Sequence, residues 1–150
     1  MAHSYSNCLM HIVFSTKHRQ KTISRALRAR LWSYLGGIAR KNGMEALAVG
    51  GTADHVHMLV SIPATMAIAK AVQLIKGGSS KWVHDTFPTH KGFTWQEGYG
   101  AFSVSVSVVD ETKSYIGRQE EHHRAKTFEE EFVAFLRRHQ IEYDERYVFG

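Results

Sequence analysis

Two short apolar segments that follow each other closely, residues 45–50 and 55–62, constrain the fold more than any other part of the chain. The link between them, Gly50-Gly51-Thr52-Ala53, supplies residues that favour tight turns. Because parallel strands need a much longer crossover connection, the two segments are predicted to pair as an antiparallel hairpin. The remaining elements must then pack around this hairpin.

Strand and helix patterns precede and follow the hairpin. Residues 8–15 form an apolar run rich in strand-forming residues, and Ser24 is placed to cap the helix that comes next. This helix has apolar residues at helical spacing, namely Leu27, Leu31, Leu35 and Ile38. After the hairpin, Thr65 is predicted to cap a second helix. We expect the segment Gly77-Gly78-Ser79-Ser80 to interrupt that helix before it continues to about Phe87.

The last third of the chain adds one strand and two helices. Residues 101–107 alternate between apolar and serine side chains, which predicts a half-buried strand. Asp110 is predicted to cap a third helix that ends near His122. Thr127 and Glu130 form a capping-box pattern at the start of a fourth helix. The apolar face of the fourth helix is predicted to consist of Phe128, Phe132, Phe135 and Leu136.

The resulting order of elements, β-α-β-β-α-β followed by helices, is the ferredoxin-like order. The expected fold class is therefore α+β, with one antiparallel sheet and helices on one face of it. The additional C-terminal helices include Tyr115. Because the 150 residues contain no internal linker or repeat, the chain is predicted to form one domain, residues 1–150.

Charge is distributed unevenly along the chain. Residues 1–109 hold twelve Lys and Arg against four Asp and Glu, whereas residues 110–150 hold seven against ten. The positive field of the first part favours a polyanion such as nucleic acid, although a merely basic soluble protein would carry the same charge. Contacts to phosphate groups are expected from five cationic side chains, Lys17, Arg19, Lys21, Lys76 and Lys81.

Other sequence features bear on the location of the protein. The single cysteine, Cys8, excludes an internal disulfide and is expected to be a small buried hydrophobic residue. No segment approaches the roughly 18 consecutive apolar residues of a membrane span. The first residues also lack the basic start and apolar block of a signal peptide. We therefore expect a cytoplasmic protein with no membrane partner.

The most distinctive local pattern is Asp54-His55-Val56-His57-Met58-Leu59-Val60. Successive residues of a strand point to opposite faces, so His55 and His57 share one face of the sheet. Two imidazoles on a rigid strand can hold a divalent metal, and two ligands suit an open catalytic site better than a closed structural one. The same spacing also fits two exposed strand histidines.

A second pair of candidate site residues is Tyr115 and Gln119, which are four apart in a predicted helix and share a face. Gln119 offers an oxygen ligand for a hard metal, and Tyr115 offers a phenolic nucleophile. A tyrosine with its usual pKa of about 10 is mostly protonated at neutral pH. It therefore needs help to attack, which a metal provides by polarising the phosphate. An ordinary amphipathic pair would have the same spacing.

Together, residues 54–60 and the Tyr115-x-x-x-Gln119 pair resemble the single-tyrosine HUH transposases of bacterial and archaeal insertion sequences. Residues 54–60 resemble the histidine–hydrophobic–histidine motif that gives HUH nucleases their name. Three further segments resemble other parts of that family, namely residues 10–14, 95–105 and 119–131. The resemblance covers about residues 8–140.

This resemblance implies a reaction mechanism. His55, His57 and Gln119 would bind Mg²⁺ or Mn²⁺, and Tyr115 would attack a phosphate of single-stranded DNA to leave a 5′-phosphotyrosine link. The implied partners are single-stranded DNA with hairpins near the ends of an insertion element and a second copy of the chain. No small-molecule cofactor is implied.

The remaining polar clusters are expected to have structural roles. His122 and His123 are interpreted as helix-end residues that favour the C-terminal dipole, although one of them could approach the metal. The run Glu129-Glu130-Glu131 is interpreted as charges that favour a helix N-terminus and not as a metal site. His11 lies in a predicted strand and is expected in the core.

Two other functions fit parts of the sequence. A non-catalytic or domesticated binder of structured single-stranded DNA or RNA would retain the basic surface without the chemistry. A small metallohydrolase that uses a bound water would need the metal ligands but not the tyrosine.

Overall fold

The computed structural model describes residues 4–149 and shows a four-stranded sheet with five helices. The elements are β1 (Cys8–Ser15), α1 (Arg25–Lys41), β2 (Glu45–Gly51), β3 (His55–Ile62), α2 (Ile68–Thr86), β4 (Gly100–Ser103), α3 (Val109–Gly117), α4 (Gln119–His122) and α5 (Phe128–Arg138). The strand order is β2-β3-β1-β4, and each neighbouring pair is antiparallel. The predicted ferredoxin-like α+β fold is confirmed.

Helices cover both faces of the sheet. On the central strands, alternate residues such as Ile12 and Met58 face α1 and α2, where Leu31 and Ile75 lie in the main apolar core. The other face carries Val13 and three histidines, and the C-terminal helices α3 to α5 pack against it. The C-terminal helices therefore form a second layer opposite α1 and α2.

The strand register places the predicted metal ligands within the interior of the sheet. His57 lies opposite Val13 of β1 and Gly50 of β2, and His55 lies opposite Ser15. Both histidine side chains are fully buried. Because β3 is hydrogen-bonded on both sides, the backbone holds these two imidazoles in a fixed position.

Of three predicted helix caps, two form and one does not. The Ser24 side chain accepts a hydrogen bond from the Leu27 N–H, and Thr127 and Glu130 form the reciprocal capping box. The Thr65 cap is wrong, because residues 63–66 form a turn and α2 begins only at Ile68.

The glycine-serine segment does not interrupt α2, which runs without a break from Ile68 to Thr86. A Cβ atom at Gly78 would lie 3.1 Å from Ile38 Cδ1, so glycine allows α1 and α2 to approach closely. The buried Ser79 hydroxyl donates to the Lys76 carbonyl and accepts from Trp95 Nε1 at 2.9 Å. Among the helices of residues 4–149, none combines the length and the apolar composition needed to cross a membrane.

Two other boundaries near the last strand differ from the predictions. β4 ends at Ser103, and a 3₁₀ turn over Val106–Val108 follows, because the Ser105 side chain accepts the Ser107 N–H. Asp110 lies in the first turn of α3 and does not cap it, since the N-cap position is Val108. Val106, one of the apolar residues in the alternating pattern of the predicted strand, is 65% exposed.

The expectation that Cys8 is buried is also wrong, since its side chain is exposed at the start of β1. The neighbouring strand β4 begins to pair with β1 only at Met10. The first residues of β1 are therefore flanked by only one strand.

Two glycine substitutions test how closely α3 packs on the sheet. A Cβ at Gly50 would lie 2.3 Å from the main-chain carbonyl oxygen of Ile116, so Gly50→Ala must displace α3. We expect this change to lower the free energy of unfolding by about 1 to 3 kcal/mol. Gly77→Ala is the control. Gly77 lies inside the helix α2, and a Cβ atom at this position would meet no other atom within 4 Å.

We expect Gly77→Ala to raise the free energy of unfolding by about 0.5 to 1 kcal/mol. Urea unfolding followed by circular dichroism measures both changes. Equal stability of Gly50→Ala and the unchanged protein would contradict the close packing of α3 on β2.

Candidate active site

Four side chains that can bind a metal meet on the face of the sheet covered by the C-terminal helices. They are His55, His57, His123 and Glu131, and one ligand atom from each lies within 4.8 Å of the others. The two strand histidines come from β3, His123 follows α4, and Glu131 lies in the first turn of α5. Three separate segments of the chain therefore build the cluster.

Glu131 is the residue that connects this cluster. Its Oε1 accepts hydrogen bonds from His57 Nε2 at 2.9 Å and from His123 Nε2 at 3.1 Å. Its Oε2 accepts a hydrogen bond from the Tyr115 hydroxyl. Burial raises the pKa of the Glu131 carboxyl, but the hydrogen bonds from His123 and His57 lower this pKa by more, and it lies well below the usual value. Glu131 is therefore a buried carboxylate anion.

His57 is held from its other side by a third strand histidine. Its Nδ1 lies 2.7 Å from His11 Nε2, and both rings are buried. Burial lowers the pKa of His57 to about 4 and places the pKa of His11 well below its usual value. Both imidazoles are neutral at neutral pH, which is the form that binds metals.

His55 and Gln119 present two acceptor atoms to each other. Asp54 Oδ1 lies 2.8 Å from His55 Nδ1 and is placed to accept a proton there, which favours the tautomer with a lone pair on Nε2. Gln119 Nε2 donates to the Tyr115 carbonyl, which directs Oε1 toward His55 Nε2 at 3.0 Å. A cation between these two atoms would satisfy both, so the donor set fits a divalent metal.

Tyr115 reaches the same cluster from α3. Its side chain is half-buried, and its ring lies 4.5 Å from the His122 ring and 5.8 Å from the His57 ring between centroids. Burial raises the pKa of Tyr115, and the hydrogen bond to Glu131 raises it further. A cavity of about 450 Å³ opens beside Tyr115 and Glu131. The hydroxyl is therefore protonated, accessible and next to the candidate metal-binding side chains.

The structure brings together four residues that the sequence singles out. Tyr115, Gln119, His55 and His57 all lie in one hydrogen-bonded site, and their chemical roles stay predictions.

Sequence reasoning did not assign Glu131 to this site. Glu131 does lie in the first turn of α5, as predicted, but its exclusion from the candidate metal site is wrong, because its side chain is buried among the histidines. The available signal was its position on the apolar face of α5, three residues after Phe128 and four before Phe135. For His122 and His123 the sequence left an approach to the metal open, and His123 contacts both Glu131 and Gln119.

The five cationic side chains predicted to contact phosphate lie in different surroundings. Lys17 and Lys21 are exposed, and Arg19 Nε lies 3.6 Å from Glu129. Lys76 donates to main-chain carbonyls that include Gly98, and burial lowers the pKa of Lys76 to about 8. Lys81 pairs with Asp85 at 2.8 Å, one turn further along α2. Their contacts to DNA stay predictions.

A basic groove runs beside the histidine cluster. It has a volume of about 700 Å³, and Asp54 and His123 lie on its wall. The cationic side chains that line it are Arg19, Lys21, Arg25, Arg28, Arg124 and Lys126. The groove therefore offers positive charge immediately next to the candidate metal site.

Comparison with known proteins identifies relatives. The protein-family model "Transposase IS200 like" matches residues 4–119. The transposase for insertion sequence element IS200 of Salmonella typhimurium is 29% identical over 124 residues, which covers 79% of this chain and 81% of that protein. The ISDra2 transposase TnpA of Deinococcus radiodurans is 28% identical over 114 residues, covering 73% of this chain and 81% of that protein.

Two solved structures have a similar fold. A protein of Deinococcus radiodurans R1 that is assigned as a transposase aligns with a TM-score of 0.66 and 26% identity, over 79% of this chain and 95% of its own. A REP-associated tyrosine transposase bound to a REP hairpin aligns with a TM-score of 0.59 and 13% identity, over 82% of this chain and 73% of its own. The second likeness shows the fold alone.

The family match ends at Gln119, so His123 and Glu131 lie beyond it. It nevertheless extends over more than half of the 150 residues. This chain therefore belongs to the IS200-like transposase family.

Proposed function

We propose that this protein is a transposase that cuts and rejoins single-stranded DNA, with Tyr115 as the nucleophile. We further propose that His55, His57 and Gln119 hold the Mg²⁺ or Mn²⁺ ion that assists the reaction. One observation carries this proposal: the Tyr115 hydroxyl donates to the carboxylate that also contacts His57 and His123. The nucleophile and the metal-binding atoms of a single chain therefore share one site.

The side chains around the site prepare the histidines for metal binding. When bound, a divalent cation withdraws negative charge from the phosphate that is attacked. Asp54 keeps the proton of His55 on Nδ1, so Nε2 is free as a ligand. His57 must move its proton from Nε2 to Nδ1, and His11 Nε2 lies 2.7 Å away to accept a hydrogen bond from it. His11 is thus proposed to support His57 in both states.

The proposed covalent step exchanges one phosphate ester for another. The Tyr115 oxygen bonds to phosphorus and gives up its proton, while the bond to the 3′ oxygen of the preceding nucleotide breaks and that oxygen gains a proton. The products are a 5′-phosphotyrosine and a free 3′-hydroxyl. Attack of a 3′-hydroxyl on the same phosphorus reverses the step, so no external energy source is required.

The basic groove is the proposed path of the DNA strand toward Tyr115. Its cationic side chains suit a phosphate backbone, and its wall includes Asp54 and His123 of the metal-binding network. Hairpins near element ends and a homodimer are also part of the proposal, on the basis of the resemblance described above. In this structure, Tyr115 faces the histidines of its own chain.

Tyr115→Phe tests the nucleophile. We expect this variant to form no covalent protein–DNA adduct, because it lacks the attacking oxygen, whereas its DNA binding should stay within about twofold of the unchanged protein. Single-stranded DNA from both flanks of the gene, incubated with Mn²⁺ or Mg²⁺ and run on a denaturing gel, measures the adduct. Tyr143→Phe is the control, and it should form the adduct normally.

The outcomes separate this proposal from its alternatives. An adduct with Tyr115→Phe would exclude Tyr115 as the nucleophile. Cleavage without an adduct in the unchanged protein would indicate a metallohydrolase that uses water. Hairpin binding without cleavage would indicate a non-catalytic binding protein.

Lys21→Ala tests the groove. If Lys21 contacts a phosphate, this variant binds single-stranded DNA more weakly, and the slope of log affinity against log salt falls by about 1. Fluorescence anisotropy at several salt concentrations measures the slope. Lys70→Ala is the control. Lys70 is exposed in the first turn of α2, and α2 packs on the face of the sheet opposite the C-terminal helices. Equal slopes for both variants would contradict a DNA path through the groove.

A further inference from the structure

We propose that Glu131 binds the catalytic metal directly through Oε1 while its Oε2 holds the Tyr115 hydroxyl. A single carboxylate would then couple the nucleophile to the ion. This inference rests on the proposed function of the same site, and it adds a ligand that lies outside the segment matched to the family.

The position of the Glu131 carboxylate suits a metal ligand. Glu131 Oε1 lies 2.9 Å from His57 Nε2, 3.1 Å from His123 Nε2 and 3.6 Å from His55 Nε2. Ligand atoms at about 2.1 Å from a common ion lie about 3 to 4 Å from one another. The carboxylate oxygen therefore already stands in the arrangement of a ligand beside the two strand histidines.

The charge balance of the site also favours a bound cation. Glu131 is only 3% exposed, and the fully buried His57 lies beside it with Nε2 at 2.9 Å from Oε1. Within residues 4–149, the groups that approach Glu131 at ion-pair distance are all histidines. A buried carboxylate is costly without a compensating cation, and a divalent ion would provide that compensation.

Including Glu131 also gives the proposed metal site a charged ligand. His55 and His57 offer imidazole nitrogens, Gln119 offers a neutral amide oxygen, and Glu131 adds an oxygen that carries negative charge. The affinity of a cation site increases with the charge of its ligands. Without Glu131, the proposed ligands carry no charge to offset that of a divalent ion.

The two carboxylate oxygens of Glu131 contact different groups of the proposed site. The oxygen that faces the histidines is separate from the oxygen that accepts the Tyr115 proton. Glu131 can therefore bind the ion and keep the tyrosine hydroxyl beside it at the same time. In this role Glu131 positions the nucleophile relative to the metal.

Glu131→Gln tests the metal-ligand role in the absence of DNA. This variant keeps the shape of the side chain but loses its charge, and we expect Mn²⁺ to bind it about tenfold more weakly or worse. Isothermal titration of the whole protein with MnCl₂ measures the affinity. Glu129→Gln is the matched control, because Glu129 lies on the same helix but pairs with Arg19, and its affinity should stay within about twofold.

A folded Glu131→Gln variant that binds Mn²⁺ as tightly as the unchanged protein would overturn the inference. A second measurement does not depend on the folding of any variant. In crystals of the unchanged protein with MnCl₂, the anomalous peak should lie about 2.2 Å from a Glu131 carboxylate oxygen. A peak at His55 and His57 with Glu131 outside the coordination sphere would also overturn it.

These tests are independent of the proposed reaction, since neither includes DNA. If Mn²⁺ binds through Glu131 but no adduct forms on any DNA, the ligand assignment holds and the proposed reaction fails. If the adduct forms but Mn²⁺ binding is the same in Glu131→Gln, the reaction holds and the inference about Glu131 fails.

Discussion

The buried carboxylate of Glu131 is the interaction on which the rest of the site depends. It accepts hydrogen bonds from His57, His123 and Tyr115, which come from β3, the segment after α4, and α3. A buried carboxylate requires such partners, because an unpaired one would lose its hydration without compensation. The same contacts that make its burial tolerable also bring a tyrosine hydroxyl to a group of histidines that could hold a metal ion.

The sheet supplies the fixed part of this arrangement and the C-terminal helices supply the rest. His55 and His57 are held by a strand with neighbours on both sides, and Gly50 lets the backbone of α3 approach that face closely. Phe128 and Phe135 anchor α5 in a second apolar cluster around Glu131. Packing on this face therefore determines the distance between Tyr115 and the histidines.

Features that depend on local sequence could be predicted, and features that depend on packing could not. The shared face of His55 and His57 follows from the alternation of a strand, and the Thr127 capping box follows from adjacent residues. Gly78 lies inside the continuous helix α2, where it leaves room for Ile38 of α1, and the local sequence does not reveal this contact between helices. The burial of Glu131 likewise depends on where α5 packs, although its place between Phe128 and Phe135 was a usable signal.

Family membership and site geometry lead to one central claim, namely that Tyr115 becomes joined to DNA through a 5′ phosphate. Mass spectrometry of the trypsin-digested adduct tests this claim most directly, because cleavage after Lys113 and Arg118 isolates the peptide Ser-Tyr-Ile-Gly-Arg. We expect a phosphodeoxynucleotide on the tyrosine of this five-residue peptide. A nucleotide on any other residue, or cleaved DNA that carries a free 5′ phosphate and no peptide, would contradict it.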